Sequence, residues 1–227
     1  MKSVMKVIIL GSTGMVGKAV LLECLDDDRI TGVLVINRRP IGVKHPKLEE
    51  IILQGLDDLS SLRSRLSGLD ACFFCVGVTV AGKDEATYSS LTYDLTVNFA
   101  KEVLAQAPNA VFIYVSGAGT DSSGQGSVMW ARVKGRTENT LLSMGFKASY
   151  MFRPGYIQPL RGVKSTIGWY NTFYAILKPF YFLLRSVKSK VTDSVTLARA
   201  MIHVALEGYE KNILESTDIN KIGDYKA

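Results

Sequence analysis

Three glycines near the start of the sequence have the spacing of a phosphate-binding loop. Gly11, Gly14 and Gly17 lie in "VIILGSTGMVGKAV", between a short apolar run and a helical pattern. The first glycine permits a tight turn, the second lets the backbone approach a diphosphate, and the third lets the helix pack close to the strand. The N–H groups that begin such a helix bind phosphate. The predicted dinucleotide contacts are Gly11, Ser12, Thr13, Gly14, Met15, Val16 and Gly17.

Two arginines follow the second predicted strand, in "VINRRP". Asn37 stands where a carboxylate would bind a ribose 2′-hydroxyl, and Arg38 and Arg39 come next. A guanidinium binds a 2′-phosphate bidentately, whereas a carboxylate would repel it. The sequence therefore favours NADP(H) over NAD(H), with Ser12 and Thr13 as additional hydroxyl donors. The alternative is that the arginines only face solvent, which applies more readily to Arg39.

The elements that must hold these residues alternate between apolar strands and helical patterns. The predicted strands are Val4–Leu10, Val33–Ile36, Ile51–Leu53, Ala71–Val76, Ala110–Val115 and Ala148–Phe152. The predicted helices are Met15–Asp26, Leu59–Leu66, Ala86–Ala107, Val128–Met144 and one that begins after Asp193 and stops at Gly208. This order predicts an α/β, Rossmann-type, doubly wound parallel sheet with a small C-terminal helical lid.

The length and composition favour one domain over residues 1–227, because 227 residues with 47% hydrophobic content fill one core. Residues 156–190 are aromatic and basic and are predicted to form a lid on the substrate side. The alternatives are a membrane-surface helix, centred on residues 169–187, or a dimer contact. Pro179 and Lys178 divide the apolar run, so neither half would span a bilayer.

The net charge of +6 does not indicate nucleic-acid binding, because the basic residues are scattered. An anionic small molecule fits the charge equally well. Cys24, Cys72 and Cys75 are interpreted as buried thiols in a reducing compartment, and "KVIIL" is too short for a signal sequence. The predicted location is therefore cytoplasmic, with no metal site.

Six short stretches together resemble the short-chain dehydrogenase/reductase superfamily, in its atypical branch. They are "GSTGMVG", "INRRP", "CFFCVGVT", "IYVSGAG", "VKGRTE" and "FRPG". Within that branch the chain is most similar to the Tat-interacting (HTATIP2-like) oxidoreductases and the NmrA-like proteins. The resemblance implies an NADP(H)-dependent oxidoreductase of unknown carbonyl or alcohol substrate. It also implies that the cofactor is bordered by Gly77, Val78, Thr79, Pro154 and Gly155, with Arg153 shaping the nicotinamide side.

The same resemblance assigns the catalytic residues, with one departure. Ser116 matches the serine that steadies a carbonyl, and Lys134 matches the lysine that binds ribose and lowers the pKa of a catalytic tyrosine. Trp130 stands in place of that tyrosine and has no hydroxyl. The possible replacement proton donors are Ser116, Ser127, Tyr156 or water, of which water and Tyr156 are preferred.

Two interpretations of this departure remain open. One is a catalyst that uses another proton donor, and the other is a non-catalytic NADP(H)-sensing regulatory or assembly protein that changes partners when NADP(H) binds. The structural alternative for Trp130 itself is simple packing against the cofactor or a bound aromatic group. The loss of the tyrosine hydroxyl favours the sensor, and the retained Ser116 and Lys134 favour the enzyme.

Overall fold

The computed structural model describes residues 4–56, 59–163 and 190–224. Its strands are β1 (Met5–Leu10), β2 (Ile30–Asn37), β3 (Leu48–Ile52), β4 (Ala71–Phe74), β5 (Val111–Val115), β6 (Ala148–Arg153), β7 (Tyr156–Gln158), β8 (Val191–Asp193) and β9 (Ile213–Glu215). Its α-helices in these ranges are α1 (Met15–Asp26), α2 (Arg63–Leu66), α3 (Glu85–Ser89), α4 (Leu95–Gln106), α5 (Met129–Ser143), α6 (Ser194–Glu207) and α7 (Ser216–Gly223). A 3₁₀ turn, Ser60–Leu62, precedes α2, and a π-helical turn, Ser90–Asp94, joins α3 to α4.

Seven of these strands form one parallel sheet in the order β3-β2-β1-β4-β5-β6-β9. Alternate residues of β1 face opposite sides of it: Val7 and Ile9 pack with α1, α6 and α7, while Ile8 and Leu10 pack with α2 and α4. A strand that is buried on both faces carries a continuous apolar run, which is why β1 reads "VIIL". The predicted Rossmann-type α/β fold is confirmed.

The chain reverses its direction of winding between β1 and β4. From β1 it proceeds through β2 and β3 along one side of the sheet, and β4 then pairs with the other side of β1. The carboxyl ends of β1 and β4 flank a crevice at this point, and open α/β sheets bind ligands in such crevices. Gly11 follows β1 and Gly77 lies shortly after β4, so both predicted glycine positions border the crevice.

The strands and helices before Arg153 lie where the periodicity predicts them, with bounds that differ by a few residues. The prediction for α1 is matched at both ends, and the predicted long helix at 86–107 contains the π-helical turn. After Arg153 the prediction is incomplete, because β7, β8, β9 and α7 were not foreseen. The strand β9 extends the main sheet beside β6, and β7 pairs with β8 in a separate two-stranded sheet.

Both predicted ends of α6 are confirmed. The Asp193 carboxylate accepts hydrogen bonds from the amides of Val195 and Thr196, at 2.9 and 2.8 Å, and Gly208 ends the helix with φ +78°.

Most of the predicted lid, including the aromatic segment 169–187, lies outside the described residues, which stop at 163 and resume at 190. Within those residues, none of the helices combines the length and the apolar character that crossing a bilayer requires.

Candidate functional site

The loop between β1 and α1 has no room for a side chain at Gly11 or at Gly17. Gly11 has φ +80°, and a Cβ atom there would lie 2.8 Å from the carbonyl oxygen of Cys75, after β4. A Cβ atom on Gly17 would overlap the carbonyl oxygen of Gly11. The two glycines therefore permit the tight turn and the close packing of α1 that the sequence predicts.

The first turn of α1 has no side-chain cap. Gly14 is the N-cap residue, its amide donates to the carbonyl oxygen of Gly11 at 2.9 Å, and the turn contains no acidic residue. The N–H groups that open a helix need acceptors, and they carry partial positive charge. Thr13 is exposed, and Met15 and Val16 are partly buried at this helix start. The arrangement fits the diphosphate of a dinucleotide.

Ser12 turns its side chain away from the helix start. Its Oγ is buried and donates to Oδ1 of Asn37, at the end of β2, over 2.8 Å. The Asn37 amide in turn donates from Nδ2 to Oε1 of Glu50 on β3, at 2.6 Å. The same Glu50 oxygen accepts from the amide of Ile41 at 2.9 Å. The Ser12 hydroxyl thus braces the loop against β2, so its backbone is the part free to meet a phosphate.

Arg38 and Arg39 begin the loop that follows β2, and both are exposed. Neither guanidinium forms an ion pair with a carboxylate from the described ranges 4–56, 59–163 and 190–224. Gln54 supports the loop by donating from Nε2 to the carbonyl oxygen of Arg38 at 3.3 Å. Both arginines are therefore available to an anion beside β2.

The predicted cofactor residues after β4 border open space. Gly77 is exposed, and a Cβ atom there would meet no atom within 4 Å. Val78 is partly buried and Thr79 is exposed, with Thr79 Oγ1 accepting from the amide of Ala81 at 3.3 Å. These residues therefore leave space on the β4 side of the crevice.

Ser116, after β5, is buried and its hydroxyl already has acceptors. Its Oγ donates to Oε1 of Glu138 on α5 at 2.5 Å and lies 3.2 Å from the carbonyl oxygen of Phe152. A serine hydroxyl carries a single proton to donate. In this conformation Ser116 therefore offers a substrate carbonyl no free proton, although its lone pairs can still accept.

Glu138 and Arg153 form a buried ion pair that the sequence pattern does not predict. Both oxygens of Glu138 accept from the Arg153 guanidinium, with Nε at 3.0 Å from Oε1, and the Glu138 side chain has no exposed surface. The hydrogen bond to Glu138 raises the pKa of Arg153. Arg153 also donates to Ser122 Oγ at 2.6 Å and approaches Glu215 at 3.5 Å. The arginine of "FRPG" is thus a structural anchor at the end of β6.

Lys134 lies one helical turn before Glu138 on α5, and its Nζ donates to the backbone carbonyl oxygen of Ser116. Burial lowers the pKa of Lys134 to about 8, and the Glu138 carboxylate opposes part of that shift. The lysine therefore loses its proton closer to neutral pH than an exposed lysine does. The structure brings Lys134 and Ser116 together, as the resemblance implies, although through the serine backbone.

Trp130 lies one turn before Lys134 and is partly buried. Its ring stands beside the loop after β5, where a Cβ atom on Gly119 would be 3.6 Å from Cη2. The indole therefore packs beside Gly119, in the loop after β5. Ser127 is exposed just before this helix.

The residues after β6 are held by backbone contacts. The amide of Ala118 donates to the carbonyl oxygen of Pro154 at 2.9 Å, and the amide of Gly155 donates to Ser216 Oγ at 2.9 Å. Tyr156 donates its hydroxyl to Oε1 of Gln158 at 2.9 Å, and burial raises the pKa of that hydroxyl. Pro154 therefore borders the loop after β5, Gly155 is held by Ser216 at the start of α7, and Tyr156 is a weaker acid than a free tyrosine.

The cysteines lie in the core on opposite faces of the sheet. Cys72 packs with the α4 side, while Cys75 packs with the α1 side near Cys24. Burial raises the pKa of Cys75 to about 12, so this thiol stays protonated at neutral pH. Among residues 4–56, 59–163 and 190–224, no three His, Cys, Asp or Glu side chains are grouped so as to hold a metal.

Comparison with solved structures identifies short-chain dehydrogenases as proteins of the same fold. An L-sorbose reductase from Gluconobacter frateurii, complexed with NADPH and L-sorbose, has a TM-score of 0.67 and 15% identity and covers 96% of this chain and 99% of its own. A short-chain dehydrogenase family protein from Francisella tularensis has a TM-score of 0.64 and 12% identity, covering 97% and 95%. The enzyme WbmH from Bordetella bronchiseptica, in complex with NAD⁺, has a TM-score of 0.64 and 18% identity, covering 92% and 74%.

The relatives found by sequence are fungal proteins named Fmp52. The mitochondrial protein fmp52-1 of Aspergillus terreus is 27% identical over 240 residues, covering 96% of this chain and 98% of its own. The Aspergillus niger protein is 31% identical over 158 residues, covering 66% of each. These relatives are named mitochondrial, so the cytoplasmic prediction is wrong; a buried thiol is compatible with more than one compartment.

No family model matches the sequence, and the comparisons do not reach the Tat-interacting or NmrA-like branch. The chain thus has the fold of the short-chain dehydrogenases and is similar in sequence to the Fmp52 proteins.

Proposed function

We propose that this chain is a nicotinamide dinucleotide-binding oxidoreductase of the short-chain dehydrogenase type that uses NADP(H). The observation that carries the proposal is the uncapped start of α1. It follows the glycine loop and lies beside the crevice between β1 and β4, where the strand order reverses. The NADPH and NAD⁺ of the two structural neighbours support the cofactor class. The mitochondrial names of the relatives support a mitochondrial location.

The preference for NADP(H) is supported by the charges beside β2. Arg38 and Arg39 are exposed and have no carboxylate partner in the described part of the chain, and Asn37 is neutral. Planar guanidinium groups bind phosphate through two parallel hydrogen bonds. A 2′-phosphate would therefore find both a suitable charge and suitable donors there.

The other predicted residues have distinct roles in this proposal. The backbone of residues 11–17 would hold the diphosphate, residues 77–79 and 154–155 would border the cofactor, and Lys134 would contact its ribose. The bound nicotinamide would supply hydride chemistry, and the protein would have to move a proton. Lys134 has a pKa of about 8, whereas the pKa of the Tyr156 hydroxyl is raised. Lys134 therefore exchanges its proton closer to neutral pH than Tyr156 does.

The second candidate is a non-catalytic NADP(H) sensor. Two observations favour it: Trp130 has no acid–base group, and the Ser116 hydroxyl donates to Glu138. Both functions require the same cofactor site, so cofactor binding alone does not separate them.

The decisive experiment compares Trp130→Tyr with Trp130→Phe, which differ by one hydroxyl. Calorimetry with NADPH first establishes binding to the wild type and to both variants. If the hydroxyl is the missing part of a catalyst, Trp130→Tyr reduces a panel of aldehydes, ketones and quinones about 10²-fold or more faster than Trp130→Phe, the usual range for general acid catalysis.

Two results would count against the oxidoreductase. Binding of NADPH with no reduction by the wild type or by Trp130→Tyr would favour the sensor. The absence of any heat with NADPH, NADP⁺, NADH and NAD⁺ would contradict both candidates.

A further inference from the structure

A carboxylate in contact with the end of β2 belongs to Glu50, on the neighbouring strand β3. Its Oε1 accepts from the Asn37 amide at 2.6 Å and from the Ile41 backbone amide at 2.9 Å. These two contacts lie on either side of residues 38–40, so Glu50 closes the arginine loop at both ends. The residue is partly exposed.

Asn37 itself is fully engaged. Its Oδ1 accepts from Ser12 and its Nδ2 donates to Glu50, so both ends of the amide are used inside the protein. The Asn37 side chain is also buried. The Asn37 amide therefore has no free group to offer a ribose at the end of β2. The charge that such a ribose would encounter there is that of Glu50.

The second oxygen of Glu50 accepts no hydrogen bond from the described residues. Lys18, in α1, is close enough for the Glu50 charge to raise its pKa, against the larger lowering caused by burial. Among the described residues, the charged groups placed at this end of the crevice are Glu50, Lys18, Arg38 and Arg39. A negative charge at this place opposes a 2′-phosphate, whereas a free carboxylate oxygen can accept from a 2′-hydroxyl.

We propose that Glu50 is a specificity-determining residue that limits the preference of this chain for NADP(H) and keeps NAD(H) a usable ligand. The inference rests on the proposed cofactor site and adds to it a residue contributed by β3. Arg38 and Arg39 attract the 2′-phosphate, and the charge of Glu50 determines how much more tightly NADP(H) binds than NAD(H).

The test is calorimetry of the full chain with NADP⁺ and with NAD⁺, in the wild type and in Glu50→Gln. Glutamine removes the charge and keeps an oxygen that can accept from Asn37 and Ile41. We expect the NADP⁺ affinity to rise about tenfold and the NAD⁺ affinity to stay level or fall, as for removal of one nearby like charge. The gain should shrink in 0.5 M NaCl, because salt screens a partly exposed charge (roughly a 4 Å screening length).

The matched control is Glu49→Gln, one residue earlier on β3. Glu49 is exposed and paired with Arg65, so the ratio of NADP⁺ to NAD⁺ affinity should not change. Glu50→Ala also removes the loop contacts and should raise the same ratio even if its melting temperature falls.

An affinity ratio in Glu50→Gln equal to that of the wild type and of Glu49→Gln would overturn the inference while leaving the cofactor site intact. If neither nucleotide binds to the wild type, the proposed function is overturned, and the inference with it.

Discussion

Each end of the crevice contains a buried serine whose hydroxyl begins a chain of hydrogen bonds, called a relay below. The two relays differ in the burial of the carboxylate that they reach. At the β2 end, Ser12 donates to the neutral amide of Asn37 at 2.8 Å, and the relay ends at a partly exposed carboxylate. At the β6 end, Ser116 donates at 2.5 Å to Glu138, which is fully buried and paired with Arg153. The first relay braces a backbone loop, and the second places a full ion pair in the core.

In the proposed function, the β2 end would bind the cofactor and the β6 end would lie beside the chemistry. The β2 end builds its loop from glycines and main-chain groups, and the charges beside it, on Arg38, Arg39 and Glu50, are at least partly exposed. At the β6 end, the Ser116 hydroxyl, which the family resemblance assigns to a substrate, donates to Glu138 instead. Glu138 is buried and paired with Arg153. A burial of this kind makes the β6 end stiff and sensitive to the loss of one partner.

The largest expected effect is the loss of Glu138. Glu138→Ala leaves Arg153 buried with its principal partner removed, and we expect the free energy of unfolding to fall by about 3–5 kcal/mol in urea denaturation. The control is Glu85→Ala, because Glu85 pairs with Arg132 and Arg136 at the surface and should contribute about 0–1 kcal/mol. Equal losses in the two variants would mean that the β6 relay is not a buried anchor.

A smaller loss of stability, with loss of cofactor binding, is expected at the β2 end from Gly17→Ala. The added methyl group would overlap the Gly11 carbonyl oxygen, so α1 must move; overpacking of this kind costs about 1–3 kcal/mol. Gly32→Ala is the control, since its nearest neighbour would be a Lys6 side-chain carbon at 3.5 Å. Thermal unfolding and NADPH calorimetry measure both effects. Normal binding by Gly17→Ala would show that the loop is not the phosphate site.

The smallest effect is a pH dependence from Lys134. Burial lowers the pKa of Lys134 in the folded protein to about 8, whereas the unfolded chain keeps the ordinary lysine pKa of 10.5. Between these two pH values the unfolded chain is protonated at Lys134 and the folded chain largely is not. The charged form penalises the fold below pH 8, and the penalty is relieved as the pH rises. The unfolding free energy of the wild type relative to Lys134→Met should therefore increase above pH 8, by at most about 1.4 kcal/mol per pH unit.

Urea denaturation from pH 7 to 10 measures this difference, and the exposed Lys101→Met serves as the control. A flat difference between the wild type and Lys134→Met would mean that the ammonium group is well solvated in the folded protein.

The β2 end was largely predictable from sequence, and the β6 end was not. Gly11, Gly14 and Gly17 are local signals, because each answers a backbone requirement within one turn. The Glu138–Arg153 pair joins residues 15 positions apart that meet only when β6 pairs with β5. The i, i+4 spacing of Lys134 and Glu138 even suggests a helix salt bridge, whereas Lys134 binds a backbone carbonyl and Glu138 binds an arginine.

The short late strands escaped prediction for a related reason. Three-residue strands such as β7, β8 and β9 give too few positions for a period-two pattern, so only their long-range pairing defines them. The capping box of α7, formed by Glu215 and Asp218, was a local signal that pattern reading could have used.

The contacts of Ser216 with Gly155 and of Glu215 with Arg153 bear on how the protein is made. The ribosome produces residues 11–17 long before residues 215 and 216, on which these two contacts depend. Since parallel pairing of distant segments is slow, the nascent protein should expose an unpaired edge of β6 until residues 213–216 have been made.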